Sequence, residues 1–182
     1  MSRPDGPLLA IGVGNVLLRD EGVGVRVACE LHRLATTGHV TLPPGTRVVD
    51  GGTLGLDLLP LIEDSRALLL VDAVDLRQAP GSIEVLHDKE LQWALSGHVS
   101  PHQVGIGDLL AAARLMGTLP AAVALIGIQP GEIAIGLELT DAVRAAVPAA
   151  VQTAVAELRS LAAAASGTGP TLDRSVATAA MG

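Results

Sequence analysis

The stretch LLAIGVGNVLLRDEGVGVRV, from Leu8 to Val27, decides how this chain is read. LLAIGVG, Leu8 to Gly14, is an unbroken apolar run closed by glycine, the pattern of a strand buried on both faces of a parallel sheet. From about Asp20, Val23, Val27, Leu31 and Leu34 recur at helical spacing, which predicts a helix to roughly Leu34 with Asp20 as its N-cap. Between strand and helix lies a glycine turn carrying two acids, Asp20 and Glu21. A βα turn at the carboxyl edge of a sheet is where open α/β proteins build their sites, and the helix dipole favours a carboxylate there. Glu21 is therefore the first candidate for chemistry, and its plain reading is a first-turn charge.

Outward from this unit the alternation repeats. TRVVDGG predicts a second strand ending at Asp50, followed by a helix over TLGLDLLPLIED with Thr53 as cap. ALLLVDAVD is a third, wholly apolar strand ending at Asp72, and GSIEVLH alternates like an edge or half-exposed fourth. SPHQVGIGDLLAAARLMG predicts a helix with His102 at or near its amino end. AVALIGIQP is a fifth strand closed by Pro130, and Thr140 to about Ala164 is helical, with Pro148 opening a second helical piece. Strands alternating with helices predict a three-layer α/β/α sandwich on a mostly parallel five-stranded sheet. Residues 1–165 form one α/β domain in this reading, and the unpatterned stretch from Ser166, residues 166–182, is expected to be a mobile tail.

Composition narrows the classes. The 182 residues are 49% hydrophobic, but the apolar runs are too short to span a bilayer. No secretion signal is legible in MSRPDGP or in the short apolar run after it, and the single cysteine, Cys29, cannot form an internal disulfide, so a cytoplasmic protein without membrane insertion is expected. Cys29 reads as an inert core thiol. The net charge of −7, with basic residues scattered, argues against nucleic acid as a partner. Trp93 is the one aromatic residue, so stacking platforms and aromatic cages are excluded, and the core must be Leu, Val, Ile and Ala.

If the first three strands are parallel neighbours, Glu21, Asp50 and Asp72 follow their carboxyl ends and His102 follows the fourth. Carboxylates with an imidazole suit zinc, nickel or iron with positions left open for substrate. Asp50, before two glycines, has the plain reading of a turn cap. Asp72 ends a strand that looks fully buried, where an unpaired carboxylate costs roughly 2–5 kcal/mol, so function is favoured there. Of the five histidines, His32 and His39 flank a helix end, His87 and His98 sit in polar loops, and His102 alone opens a helix. GVGNVL also invites a dinucleotide-binding reading, with Asp50 as the acid after strand two. Leu17 stands where a third small residue is needed, and Asp20 and Glu21 stand where a pyrophosphate needs positive potential, so this reading is the weaker one.

The motifs G-x-G-N with D-E-G-x-G, D-G-G-T-x-G and S-P-H-Q, in the order IGVGNVLLRDEGVG, VVDGGTLGLDLL, LLLVDAVD, APGSIEVL, SPHQVGIGDLL and LIGIQP, closely resemble the hydrogenase maturation endopeptidases that process nickel-iron hydrogenases. The resemblance runs from about Leu8 to Leu158. It implies a twisted five-stranded sheet between helices, and removal of a carboxyl-terminal extension from the large-subunit precursor after nickel insertion. It also implies that Glu21, Asp72 and His102 bind the metal, nickel carried by the precursor, and that Asp50 occupies the family's acid in D-G-G-T-x-G; on chemical grounds a carboxylate, Asp50 or Asp72, is the candidate base for the attacking water, and the sequence does not choose between them. The implied partner is the hydrogenase large-subunit precursor, met by a monomeric enzyme. A non-catalytic nickel-binding escort using the same three ligands is the competing reading.

Overall fold

The computed structural model describes residues 5–87, 91 and 104–165. Trp93, His98, His102 and the proposed tail from Ser166 lie outside the described residues.

Strand β1, Leu8–Val13, is followed by a 3-10 turn at Arg19–Gly22 and helix α1, Val23–Thr36. Strand β2, Thr46–Gly52, leads through a second 3-10 turn, Gly55–Leu58, into the short α2, Leu59–Glu63. Strands β3, Ala67–Ala73, and β4, Ile83–His87, precede helix α3, Val104–Leu115. Strand β5, Ala122–Ile128, and helix α4, Asp141–Ala165, complete the described chain. The sheet order is β2-β1-β3-β5-β4, parallel except for β4, which runs antiparallel to β5. The mostly parallel five-stranded sheet is thus as expected, with GSIEVLH at the edge.

Side-chain alternation along the strands builds two cores. Leu8, Ala10, Leu69, Val71 and Ile126 pack on one face with Val23 and Val27 of α1 and Val151 and Leu158 of α4. Leu9, Ile11, Leu68, Leu70 and Leu125 pack on the other with Ile62 of α2 and Leu109 of α3. β3 is buried at every residue, the reason it reads as a continuous apolar run. Among the described residues no helix is long and apolar enough to cross a membrane.

Four boundaries differ from expectation. Helix α1 starts at Val23 rather than Asp20, because the preceding residues close a tighter 3-10 turn in which the Glu21 N–H donates to the Leu18 carbonyl at 3.3 Å. β2 continues past Asp50 to Gly52, since the register slips between Gly12 and Val13 and the Gly14 N–H then donates to Gly52 O at 3.0 Å. Thr53 caps nothing: the Leu54 N–H donates to Gly51 O at 3.0 Å, and the helical turns begin afterwards without a side-chain cap. Helix α4 runs unbroken through Pro148. Pro148 and Arg144 are both exposed, so the carbonyl left without its helical donor faces water.

A close approach fixes where α1 begins. A Cβ at Gly24 would come within 2.1 Å of the Val71 carbonyl oxygen and 2.4 Å of that of Val13, so the first turn of α1 rests directly on the ends of β3 and β1. Gly24→Ala must push the helix off the sheet, at a cost of roughly 1–3 kcal/mol. Urea unfolding should show a midpoint lowered accordingly, and an unchanged midpoint would show that α1 is free to retreat.

Candidate active site

The turn after β1 is shaped by its own contacts. Gly14 has φ of +132°, and a Cβ there would lie 2.0 Å from the Glu21 carbonyl oxygen, so the chain folds back onto itself at this glycine. The Asn15 backbone N–H donates to the Glu21 carboxylate. The Asn15 side chain accepts from the Leu17 N–H at 3.0 Å, and its carbonyl accepts from the Leu18 N–H at 3.0 Å. Asn15 is thus the organising residue of the turn and was not singled out from the sequence. Its signal was an Asx-turn former directly after a strand-ending glycine.

Glu21 is half-buried, and its 3-10 turn packs against β3. Together with the seating of Gly24 on Val71, this brings Glu21 to the end of the strand that carries Asp72. Asp72 is 5% exposed and accepts from the Ala73 N–H at 2.8 Å. Asp50 behaves differently. Gly12 pairs with both Asp50 and Val71, so Asp50 shares the α1 side of the sheet with Val71 while Asp72, one residue on, takes the α2 and α3 side. Asp50 is exposed and closes an Asx turn, accepting from the Gly52 N–H at 3.0 Å. Among the described residues, no three histidine, cysteine or acidic side chains form a group that could hold a metal ion. His102, the third expected ligand, lies outside them.

Asp20 is not the cap of α1. It is fully buried, and its carboxylate reaches across to the segment after β5. Oδ2 accepts from the Gly131 N–H at 2.9 Å, the Glu132 N–H at 2.9 Å and the Thr140 hydroxyl at 2.7 Å, while Oδ1 accepts from the Thr140 N–H at 2.7 Å. Burial alone would raise its pKa, but the hydrogen bonds from Glu132, Thr140 and Gly131 outweigh burial and hold it below the ordinary carboxylate value. One acid of the pair is therefore a latch, while its neighbour Glu21 accepts from the Asn15 N–H. The segment after Pro130, for which the sequence indicated no role, is the latch's other half.

One more expectation fails, and one residue without a sequence reading takes a role. Cys29 is exposed rather than in the core, because the buried stripe of α1 runs through Val23, Val27, Ala28 and Leu31 and leaves position 29 outside. Desolvation and then the Asp50 charge raise its thiol pKa against the lowering effect of Arg26, which disfavours a nucleophilic thiolate. Gln129, buried where β5 ends, accepts from the Leu76 N–H at 2.7 Å and the Gln78 N–H at 3.3 Å and so holds the loop that follows Asp72. A glutamine closing a wholly apolar run was its trace in the sequence.

A family model described as hydrogenase maturation protease matches residues 25–157. The chain belongs to the hydrogenase maturation protease family. Among its relatives in this family, the hydrogenase expression/formation protein HupD of Rhodobacter capsulatus is 42% identical over 154 residues, 84% of this chain and 71% of that protein. The hydrogenase 2 maturation protease of Escherichia coli K12 is 35% identical over 153 residues, covering 84% of this chain and 90% of the relative. The structure of the hydrogenase maturating endopeptidase HybD from E. coli superimposes with a TM-score of 0.75 at 34% identity, over 85% of this chain and 93% of that one. This hydrogenase maturation protease is accordingly a peptidase, a hydrolase built on an α/β fold without a nucleophilic cysteine in its described site.

Proposed function

We propose that this chain is the endopeptidase that removes the carboxyl-terminal extension of a nickel-iron hydrogenase large-subunit precursor once nickel has been inserted. The observation that carries this reading is the convergence of Glu21, set by the Gly14–Asn15 turn, on the carboxyl end of the strand holding the buried Asp72. Carboxylate oxygens with an imidazole form a donor set suited to nickel, and Glu21, Asp72 and His102 are the residues that would engage the metal held by the precursor. Nickel is here part of the substrate, and gripping it fixes the neighbouring peptide bond for attack. Water adds to the carbonyl carbon, a carboxylate takes its proton, and the proton passes to the departing amine nitrogen as the C–N bond breaks. Of the two candidate bases, Asp72 is favoured over Asp50, which lies on the opposite side of the sheet and is committed to its turn.

The test uses matched nickel-loaded and nickel-free full-length precursors, incubated with the purified protein and read by mass spectrometry. Loss of the terminal peptide from the loaded form alone is expected. Equal cutting of both would overturn nickel recognition, and a stable complex without cutting would overturn the peptidase reading in favour of an escort.

A further inference from the structure

Large apolar side chains stand in solvent on the loops around the same sheet edge. Leu17 follows β1 and is 59% exposed, Leu54 and Leu56 follow β2 at 53% each, and Ile135 and Leu137 follow β5 at 93% and 59%. Leu115 and Met116, also exposed, lie at the far end of α3, where the chain turns back to the opposite edge.

The arm after β5 is not loose. Asp20 holds both of its ends through Gly131, Glu132 and Thr140. The Arg19 N–H donates to Gly136 O at 2.9 Å and the Gly136 N–H to Leu17 O at 2.9 Å, closing a short parallel bridge. Arg26 Nη2 donates to the Leu137 carbonyl at 3.0 Å, and Arg19 pairs with Glu132 at 3.1 Å. Arg19 takes a positive φ of 52° to do so, a conformation rare outside glycine that persists only when the surroundings enforce it. Ile133, Ile135 and Leu137 stand exposed along this bent, hydrogen-bonded segment. Exposed apolar groups on a pre-ordered backbone cost solvation in the free protein and lose little entropy on binding, as a recognition surface requires.

We propose that the Ile135–Leu137 arm, with Leu17 beside it, is the docking surface that grips the precursor and sets its specificity. This inference rests on the peptidase reading above. The occupant is the precursor polypeptide, presenting an apolar face next to its cleaved bond. One feature selects it: the patch is continuous with Glu21 through the Leu17–Glu21 turn, where the Gly136 N–H donates to Leu17 O and the Glu21 N–H to Leu18 O.

The double variant Ile135→Ser, Leu137→Ser keeps every backbone contact of the arm. In binding titrations with nickel-loaded precursor it should weaken Kd about tenfold or more, and in cleavage assays raise KM similarly with kcat within about twofold. Leu115→Ser, at the opposite edge, should leave all three unchanged. Unaltered Kd and KM in the double variant would overturn the docking surface while leaving the peptidase reading intact. Weakened binding by a protein whose wild type binds but never cuts would support the surface and defeat the peptidase reading. A wild-type dimer that the double variant dissociates, with precursor binding unaffected, would overturn the proposal by assigning the arm to a second copy of this chain.

Discussion

Glu21→Gln and Asp72→Asn are each expected to slow cleavage of nickel-loaded precursor by roughly 100-fold or more, the scale associated with losing a charged group at a reacting centre. Folding should survive both changes. The amide oxygen of glutamine can still accept from the Asn15 N–H, and that of asparagine from the Ala73 N–H, so the local turns keep their partners. What disappears is the negative charge at the end of β3. Cleavage rates of the purified variants, taken beside urea midpoints close to wild type, separate chemistry from stability. Normal turnover by both folded variants would defeat the site assignment. Gly24→Ala offers the contrast, since it acts on stability through the seating of α1.

Asp20→Asn should be the most destabilising single polar substitution in the described chain. A buried carboxylate accepting four hydrogen bonds becomes an amide whose NH2 group is turned toward donors, leaving the N–H or O–H groups on that side unpaired. Breaking a buried charged network on one side costs roughly 3–5 kcal/mol. The effect must depend on pH in a fixed direction. Because the folded pKa lies below the ordinary value, the charge contributes stability above the unfolded pKa of about 4 and loses it as pH falls through the folded value. Wild type and variant should therefore differ most near neutrality and converge in acid. Urea unfolding at pH 7 and pH 3 checks both size and sign; a difference that is absent at pH 7 or indifferent to pH would overturn the latch. Thr140→Val, which removes one donor, should show a smaller loss of about 1–2 kcal/mol at pH 7.

The strands were legible because burial on both faces writes itself as an unbroken apolar run: Leu8 to Val13 and Ala67 to Ala73 could be little else. Helix starts were less legible. Asp20 at the head of a periodic stretch satisfies every local criterion for an N-cap, and nothing local distinguishes it from an acid whose partners lie more than a hundred residues along the chain. Cys29 was misread because a thiol was assigned to the core by residue type, although position 29 lies off the Val23, Val27 and Leu31 stripe of α1. Gln129 carries its role through backbone groups of the loop after β3, which residue identity alone does not reveal, whereas Asn15 acts within its own turn.

Periodicity and ordered motifs in this chain were enough to establish an α/β protein with Asp50 and Asp72 towards the ends of strands and Glu21 in the turn after the first, and to point to its family. Those are properties of short windows, where hydrophobic burial and turn chemistry act between near neighbours. Which acids share a side of the sheet, which one is spent as a latch, and where apolar side chains are left in water depend on register and on contacts between loops distant in sequence. A one-residue step along β3 separates Asp72 from the side that Asp50 occupies, and the folding of the segment after β5 onto the first turn divides Asp20 from Glu21. Long-range pairing separates the two adjacent carboxylates: Asp20 is tied to donors more than a hundred residues away, and Glu21 to the Asn15 N–H of its own turn.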